Sequence, residues 1–172
     1  AMLIAKQVLT AISFIHDHNI VHRDIKAANV LIAKDGIIKL GDFGVCIRAA
    51  ASSGDQKERL AGSPYWMAPE VIRREPLRDR KPQDIWSFGI FMFELLTGNP
   101  PLHQVDPARA MRTIAKSMPP RMESTGISKD VCDFVNSCLH DDPDKVLFYC
   151  VLLCVINSLL NMHIRGHQQK IY

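Results

Sequence analysis

The sequence predicts one α+β domain, mostly helical, with small β-hairpins gathered at one edge. Three observations carry that reading. From Met2 to His18, Ala5, Val8, Ile12 and Ile15 recur at the spacing of one helix face. Two short runs rich in Val, Ile and Leu, Val30 to Ala33 and Ile37 to Leu40, flank Lys34-Asp35-Gly36, and Asp-Gly between such runs is a strong hairpin signal. Pro82 to Thr97 is apolar on nearly every side, as a helix enclosed by its neighbours must be.

Each element has its own local signal. Asn19 follows the first helix and tolerates the left-handed geometry that stops one. Between Arg48 and Gly62 apolar periodicity vanishes under Ala, Ser, Gly and charges, which predicts a long, mobile loop with a functional role. Pro82 near the first turn and Gly98 just beyond Thr97 punctuate the central helix. Two further helices fit Pro107 to Ser117 and Ser128 to Leu139, the second with Ser128 as N-cap.

Composition narrows the class. The 172 residues suffice for one domain with a core, and 47% apolar with 23% charged residues is ordinary for a globular protein. A net charge of +3 with scattered Lys and Arg points to neither nucleic acid nor a membrane surface as partner. Five cysteines, an odd number without a CxxC pair, predict free thiols in a reducing compartment and hence a cytoplasmic protein. The longest apolar run, Val146 to Leu160, is shorter than the ~20 residues that span a bilayer and lacks the flanks of a signal peptide. Because Met2 follows Ala1, the natural start is expected upstream.

The chemistry concentrates in His22-Arg23-Asp24-Ile25-Lys26-Ala27-Ala28-Asn29 and, directly after the hairpin, Asp42-Phe43-Gly44. A hairpin returns to its starting point, so Asp24, Lys26, Asn29 and Asp42 are expected to converge on one small volume. Two carboxylates and an amide suit Mg²⁺, a hard cation that takes oxygen ligands and shares them with phosphate. A nearby lysine neutralises a transferring phosphoryl group, a reaction that asks little of a protein beyond positioning and charge stabilisation.

These strings, with Gly62-Ser63-Pro64-Tyr65-Trp66-Met67-Ala68-Pro69-Glu70, resemble the catalytic loop, magnesium loop and APE segment of eukaryotic protein kinases. Asp84-Ile85-Trp86-Ser87-Phe88-Gly89, with Glu94-Leu95-Leu96-Thr97-Gly98, is similar to the buried central helix of their C-terminal lobe. The APE segment resembles the branch of the sterile-twenty-like kinases and MAP kinase kinase kinases. The resemblance runs from Met2 to about Lys145 and implies a serine/threonine kinase that uses ATP and Mg²⁺ on protein substrates, with an upstream kinase or a scaffold as further partner. It implies that Asp24 orients the substrate hydroxyl as base, Lys26 steadies the γ-phosphate, and Asn29 and Asp42 hold magnesium. Leu31 would lie beneath the adenine, with His22 and Phe43 in the packed column between lobes. Arg23 would anchor the activation loop, Asp84 would brace the catalytic loop from below, and Lys26 and Ser63 favour Ser or Thr as acceptor.

Three departures qualify the resemblance. The sequence has no Gly-rich loop, strand lysine or helix glutamate, the parts of the N-terminal lobe that hold ATP, so this chain alone is expected to be inactive. Arg59 stands where the branch usually carries a phosphorylatable residue, leaving Ser52 and Ser53 as alternatives. After Lys145 the family places an arginine that pairs with the APE glutamate, here Glu70, whereas this chain has Val146. Stripping a buried charge of its partner costs roughly 3–5 kcal/mol.

The chain is therefore expected to divide into a partial kinase domain, 1–145, and a divergent tail, 146–172. Valine codons begin GT and a lysine codon can end AG, so Lys145-Val146 reads as an unspliced donor site and the tail as non-native, translated intron. Cys150, Cys154, His163 and His167 mimic a zinc-finger set, but the gap between the pairs is shorter than the ~12 residues of a finger and is apolar. Two other readings compete with an enzyme: a non-catalytic kinase-like binding module, and a non-functional truncated gene product. Intact Asp24, Asn29 and Asp42 favour catalysis.

Overall fold

The computed structural model describes residues 1–49 and 60–146; Ser52, Ser53, Arg59 and the four Cys and His residues of the tail lie outside them. Helix α1 (Met2–Asp17) buries Ala5, Val8, Leu9, Ile12 and Ile15 along the predicted stripe. Asn19, at φ 58°, turns the chain into strand β1 (Ile20–Val21). A 3-10 turn (Ala27–Asn29) leads into β2 (Val30–Ile32), which pairs antiparallel with β3 (Ile38–Leu40), Val30 opposite Leu40. The hairpin is tied to α1, where the Gln7 amide oxygen accepts from the Ile38 N–H at 2.9 Å. A second pairing joins β1 to β4 (Ile47–Arg48), Val21 opposite Ile47.

The second half is helical. After a 3-10 turn (Pro64–Trp66) come α2 (Pro69–Arg73), α3 (Lys81–Thr97), α4 (Pro107–Ile114) and α5 (Lys129–Cys138). Helix α3 is the axis of the domain, buried without a break from Pro82 to Met92. Phe88 meets Phe91 at 6.0 Å and Phe134 of α5 at 6.1 Å, and a fully buried aromatic of this kind stabilises by about 3 kcal/mol. The α3–α5 contact is close because residue 89 is glycine: a Cβ there would stand 2.7 Å from Leu139 Cδ2.

Helix α4 stops at Ile114, short of the expected Ser117. Pro119 biases the residue before it away from helical geometry, and the chain leaves the helix through turn bonds from Lys116 and Ser117 to the Thr113 carbonyl. Ser128 occupies the N-cap of α5, but its hydroxyl makes no capping bond. Val146 is 2% exposed and belongs to the core, so the residue at the expected boundary packs inside the domain.

Candidate active site

The site is built on a buried carboxylate. Asp84, in the first turn of α3 and fully enclosed, receives the backbone N–H groups of His22 and Arg23, each at 2.8 Å. A third donor is His16 of α1, whose Nε2 lies 2.8 Å from Asp84 Oδ2. These bonds compensate the charge that burial would otherwise penalise. They fix the segment after β1 against the helical core, with Arg23 in left-handed backbone at φ 74°.

His22 forms the next layer. The Asp24 N–H donates to its Nδ1 (3.3 Å), so the ring proton sits on Nε2 and is given to the Gly41 carbonyl at 3.0 Å. Its ring meets Phe43 edge-on, with centroids 4.8 Å apart. Gly41 in turn donates to the Asn29 carbonyl at 2.8 Å. The two ends of the hairpin are thus joined through His22, Gly41 and Asn29, as the hairpin argument requires.

Asp24, Lys26, Asn29 and Ser63 touch directly. Asp24 Oδ2 accepts from Lys26 Nζ at 2.8 Å and from the Asn29 amide at 2.9 Å, and Oδ1 accepts from the Ser63 hydroxyl at 2.6 Å. Lys26 also donates to Ser63 Oγ at 2.6 Å, closing a triangle. Burial pushes the Asp24 carboxyl upward, but the bonds from Lys26, Ser63 and Asn29 outweigh it and hold the group below the usual carboxylate range. The side-chain nitrogen of Asn29 serves the Asp24 carboxylate and backbone carbonyl, while its side-chain oxygen Oδ1 takes no bond among the described residues.

Ser63 reaches Asp24 because Gly62 precedes it. At φ 111° Gly62 lies against the Arg23 carbonyl, where a Cβ would collide with the oxygen. On the far side Glu94 of α3 accepts from the Ala27 N–H at 2.9 Å and from the Trp66 indole at 3.0 Å. One carboxylate therefore locks the turn behind Asn29 to the segment behind Ser63. The sequence motifs include Glu94 without implying a task for it, and His16 stands in none of them. The signals were a carboxylate deep in an apolar helix and a histidine at the end of an apolar stripe.

The remaining predicted residues stand around this cluster. Asp42 is exposed, in left-handed backbone at φ 61°, and its carboxylate accepts only from the Gly44 N–H among the described residues, at 3.3 Å. It does not hydrogen-bond Asp24, Lys26 or Asn29. Leu31 is 56% exposed on β2 and Phe43 is 48% exposed, so both offer apolar surface beside the cluster. Glu70 lies apart, buried in α2, with no ion pair among the described residues; burial raises its carboxyl to about 7. Arg73, one turn on, pairs instead with Glu75 at 2.7 Å and Asp141 at 3.0 Å.

An amide oxygen and a carboxylate, Asn29 and Asp42, are a donor pair that suits Mg²⁺. No cluster of three His, Cys, Asp or Glu side chains that could cage a metal occurs among the described residues. Two oxygen donors would leave a Mg²⁺ ion to take its other ligands from phosphate and water.

Comparison with known proteins gives the family. The family model described as protein kinase domain matches residues 1–150. The chain is 47% identical over 145 residues to the serine/threonine-protein kinase KIC1 of Saccharomyces cerevisiae, covering 84% of this chain and 13% of that protein. It is 42% identical over 140 residues to the serine/threonine-protein kinase ppk11 of Schizosaccharomyces pombe, covering 81% and 44%. With the serine/threonine-protein kinase PAK 5 of Rattus norvegicus identity is 44% over 139 residues, covering 80% and 19%. The chain thus spans less than half the length of each of these relatives. It belongs to the protein kinase family, on its serine/threonine side and in the sterile-twenty-like branch to which its motifs point.

Proposed function

We propose that the protein containing this chain transfers the γ-phosphate of ATP to serine or threonine hydroxyls of other proteins, with Asp24 as the group that meets the hydroxyl. The observation that carries the proposal is the closed contact of Asp24, Lys26, Asn29 and Ser63. A carboxyl held ionised is an acceptor at neutral pH, able to orient a substrate O–H and take its proton as the new bond forms. The Ser63 hydroxyl marks where such a hydroxyl could approach Oδ1. Lys26 bridges the same volume with a positive charge suited to a phosphoryl group in transfer. Asn29 and Asp42 would hold magnesium, which when bound neutralises phosphate charge. Leu31 and Phe43 offer apolar surface for a base, and Arg23 a cation for the segment that precedes Ser63.

In this reading residues 1–145 act as the catalytic lobe and 146–172 as an appended tail, with the ATP-gripping parts supplied elsewhere in the protein. Ser52 and Ser53 are the acceptors available to an upstream kinase or its scaffold. Cys46, Cys132 and Cys138, none of them in a disulfide, fit a reducing, cytoplasmic setting. No helix among the described residues is long and apolar enough to cross a membrane. The test is phosphoamino-acid analysis of a mixed protein substrate incubated with the full-length protein and Mg-ATP. Phosphoserine and phosphothreonine are expected; phosphotyrosine alone, or no transfer, would overturn the reading.

A further inference from the structure

Arg80 stands at the N-cap of α3 and is 7% exposed, a depth at which a guanidinium is held only where oxygen atoms receive its N–H groups. Its Nη1 donates to the Arg48 carbonyl at 3.2 Å, and its backbone N–H donates to the Ala49 carbonyl, also at 3.2 Å. Side chain and main chain together thus grip two successive carbonyls where β4 ends.

That grip falls where the backbone most needs it. Strand β1 is two residues long and meets β4 over two pairs, Ile20 opposite Arg48 and Val21 opposite Ile47, a ladder too short to hold itself. Left-handed residues flank β1 on both sides, Asn19 at φ 58° and Arg23 at φ 74°, and such backbone persists only where its surroundings over-determine it. Bonds outside the ladder supply the constraint. The Ala49 N–H donates to the Asn19 carbonyl at 2.9 Å, and the Cys46 thiol lies 3.6 Å from the His22 carbonyl. Asp84, four residues after Arg80, takes the N–H groups of His22 and Arg23. The first turn of α3 therefore holds the segment before Asp24 directly through Asp84, and its strand partner through Arg80.

We propose that Arg80 is a positioning residue for the phosphoryl transfer. By tying Arg48 and Ala49 to α3 it fixes β4, through β4 the strand β1, and so the place of Asp24 three residues beyond that strand. It acts through the backbone rather than on the reacting atoms. The inference deepens the kinase reading and rests on it for the effect on turnover. The tie itself is measured without nucleotide, so the two can fail separately.

The test compares the full-length protein with Arg80→Met, which keeps an apolar stem and removes the donor, and with Arg80→Lys, which returns a cationic donor. Arg80→Met should lower kcat for protein phosphorylation by ~10–100-fold, the effect of a small misplacement at the reacting groups. KM for ATP should stay within about twofold of wild type. Arg80→Lys should recover kcat to within about threefold, because one N–H donor suffices for the Arg48 carbonyl. Wild-type kcat in Arg80→Met would overturn the proposal. So would a KM for ATP that rises as kcat falls, the mark of a lobe loosened as a whole. Equal loss in Arg80→Lys and Arg80→Met would reject the bond to Arg48 as the cause. Deuterium uptake without nucleotide reads the tie alone. Backbone amides in peptides covering 19–24 and 45–49 should exchange ~10-fold faster in Arg80→Met than in wild type, and unchanged exchange would overturn the inference. A wild type that transfers no phosphate would defeat the proposed function, and the tie would then stand or fall on exchange.

Discussion

Glu70 gives the sharpest physical prediction, because it is a buried carboxyl with no ion pair among the described residues. It is 3% exposed, and burial is the main cause that moves it from the ordinary 4.5 to about 7, with Glu75 and Asp141 adding to the effect and Arg73 opposing it. The group relieves the strain of an unpaired buried charge by binding a proton, which bounds the loss that the missing arginine causes. Since the folded pKa lies above the unfolded one, the native state holds the extra proton. Stability is then fully present below pH ~4.5, falls as pH rises to ~7, and is flat beyond. The shift corresponds to about 3 kcal/mol over that window. Glu70→Gln keeps the shape and removes the titration. Urea unfolding of both proteins from pH 4.5 to 8.5 should show the wild type losing about 3 kcal/mol relative to the variant. Parallel curves would refute the reasoning, as would a wild type that gains stability against Glu70→Gln across the window.

Other perturbations read other parts of the account. Asp84→Asn places an NH₂ group among the three donors of His16, His22 and Arg23 and should lower unfolding free energy by roughly 3–5 kcal/mol in urea titrations; a change under about 1 kcal/mol would deny Asp84 its bracing task. Gly89→Ala drives a methyl to 2.7 Å from Leu139 and 3.0 Å from Cys138, and should cost about 1–3 kcal/mol despite the better helix propensity of alanine, read as a lower melting temperature. Burial first, and Asp84 second, push the Cys46 thiol up to about 11 from 9.0, so at neutral pH alkylation of Cys46 should be ~100-fold slower than that of an ordinary cysteine, measured by mass spectrometry.

Much of this was legible in the sequence because local signals and tertiary structure agree. Asn19 ends α1, Asp35-Gly36 turns the β2–β3 hairpin, and Gly98 closes α3. A hairpin obliges its two ends to meet, which is why the approach of Gly41 to Asn29 could be foreseen, although Asp42 itself bonds only to Gly44 among the described residues. What could not be read was set by contacts between distant segments. The β1–β4 pairing joins two-residue strands with no turn between them. His16 and Glu94 matter through partners far along the chain, Asp84 for the first, Ala27 and Trp66 for the second. Their types alone say little, since a histidine or glutamate on a helix is usually solvated. Helix α4 ends at Ile114, before the expected Ser117, because the proline two residues beyond Ser117 acts before it is reached.

The central claim is that Asp24 carries the chemistry and is held for it by Lys26, Asn29 and Ser63. The direct measurement is phosphate transfer to protein serine and threonine by the full-length protein, wild type against Asp24→Asn, with melting temperature and nucleotide binding followed in parallel. Losing a positioned base should reduce transfer by ~10²–10⁴-fold, with melting temperature and nucleotide affinity close to wild type. Transfer by Asp24→Asn within about threefold of wild type, a factor below what any positioned base supplies, would contradict the account.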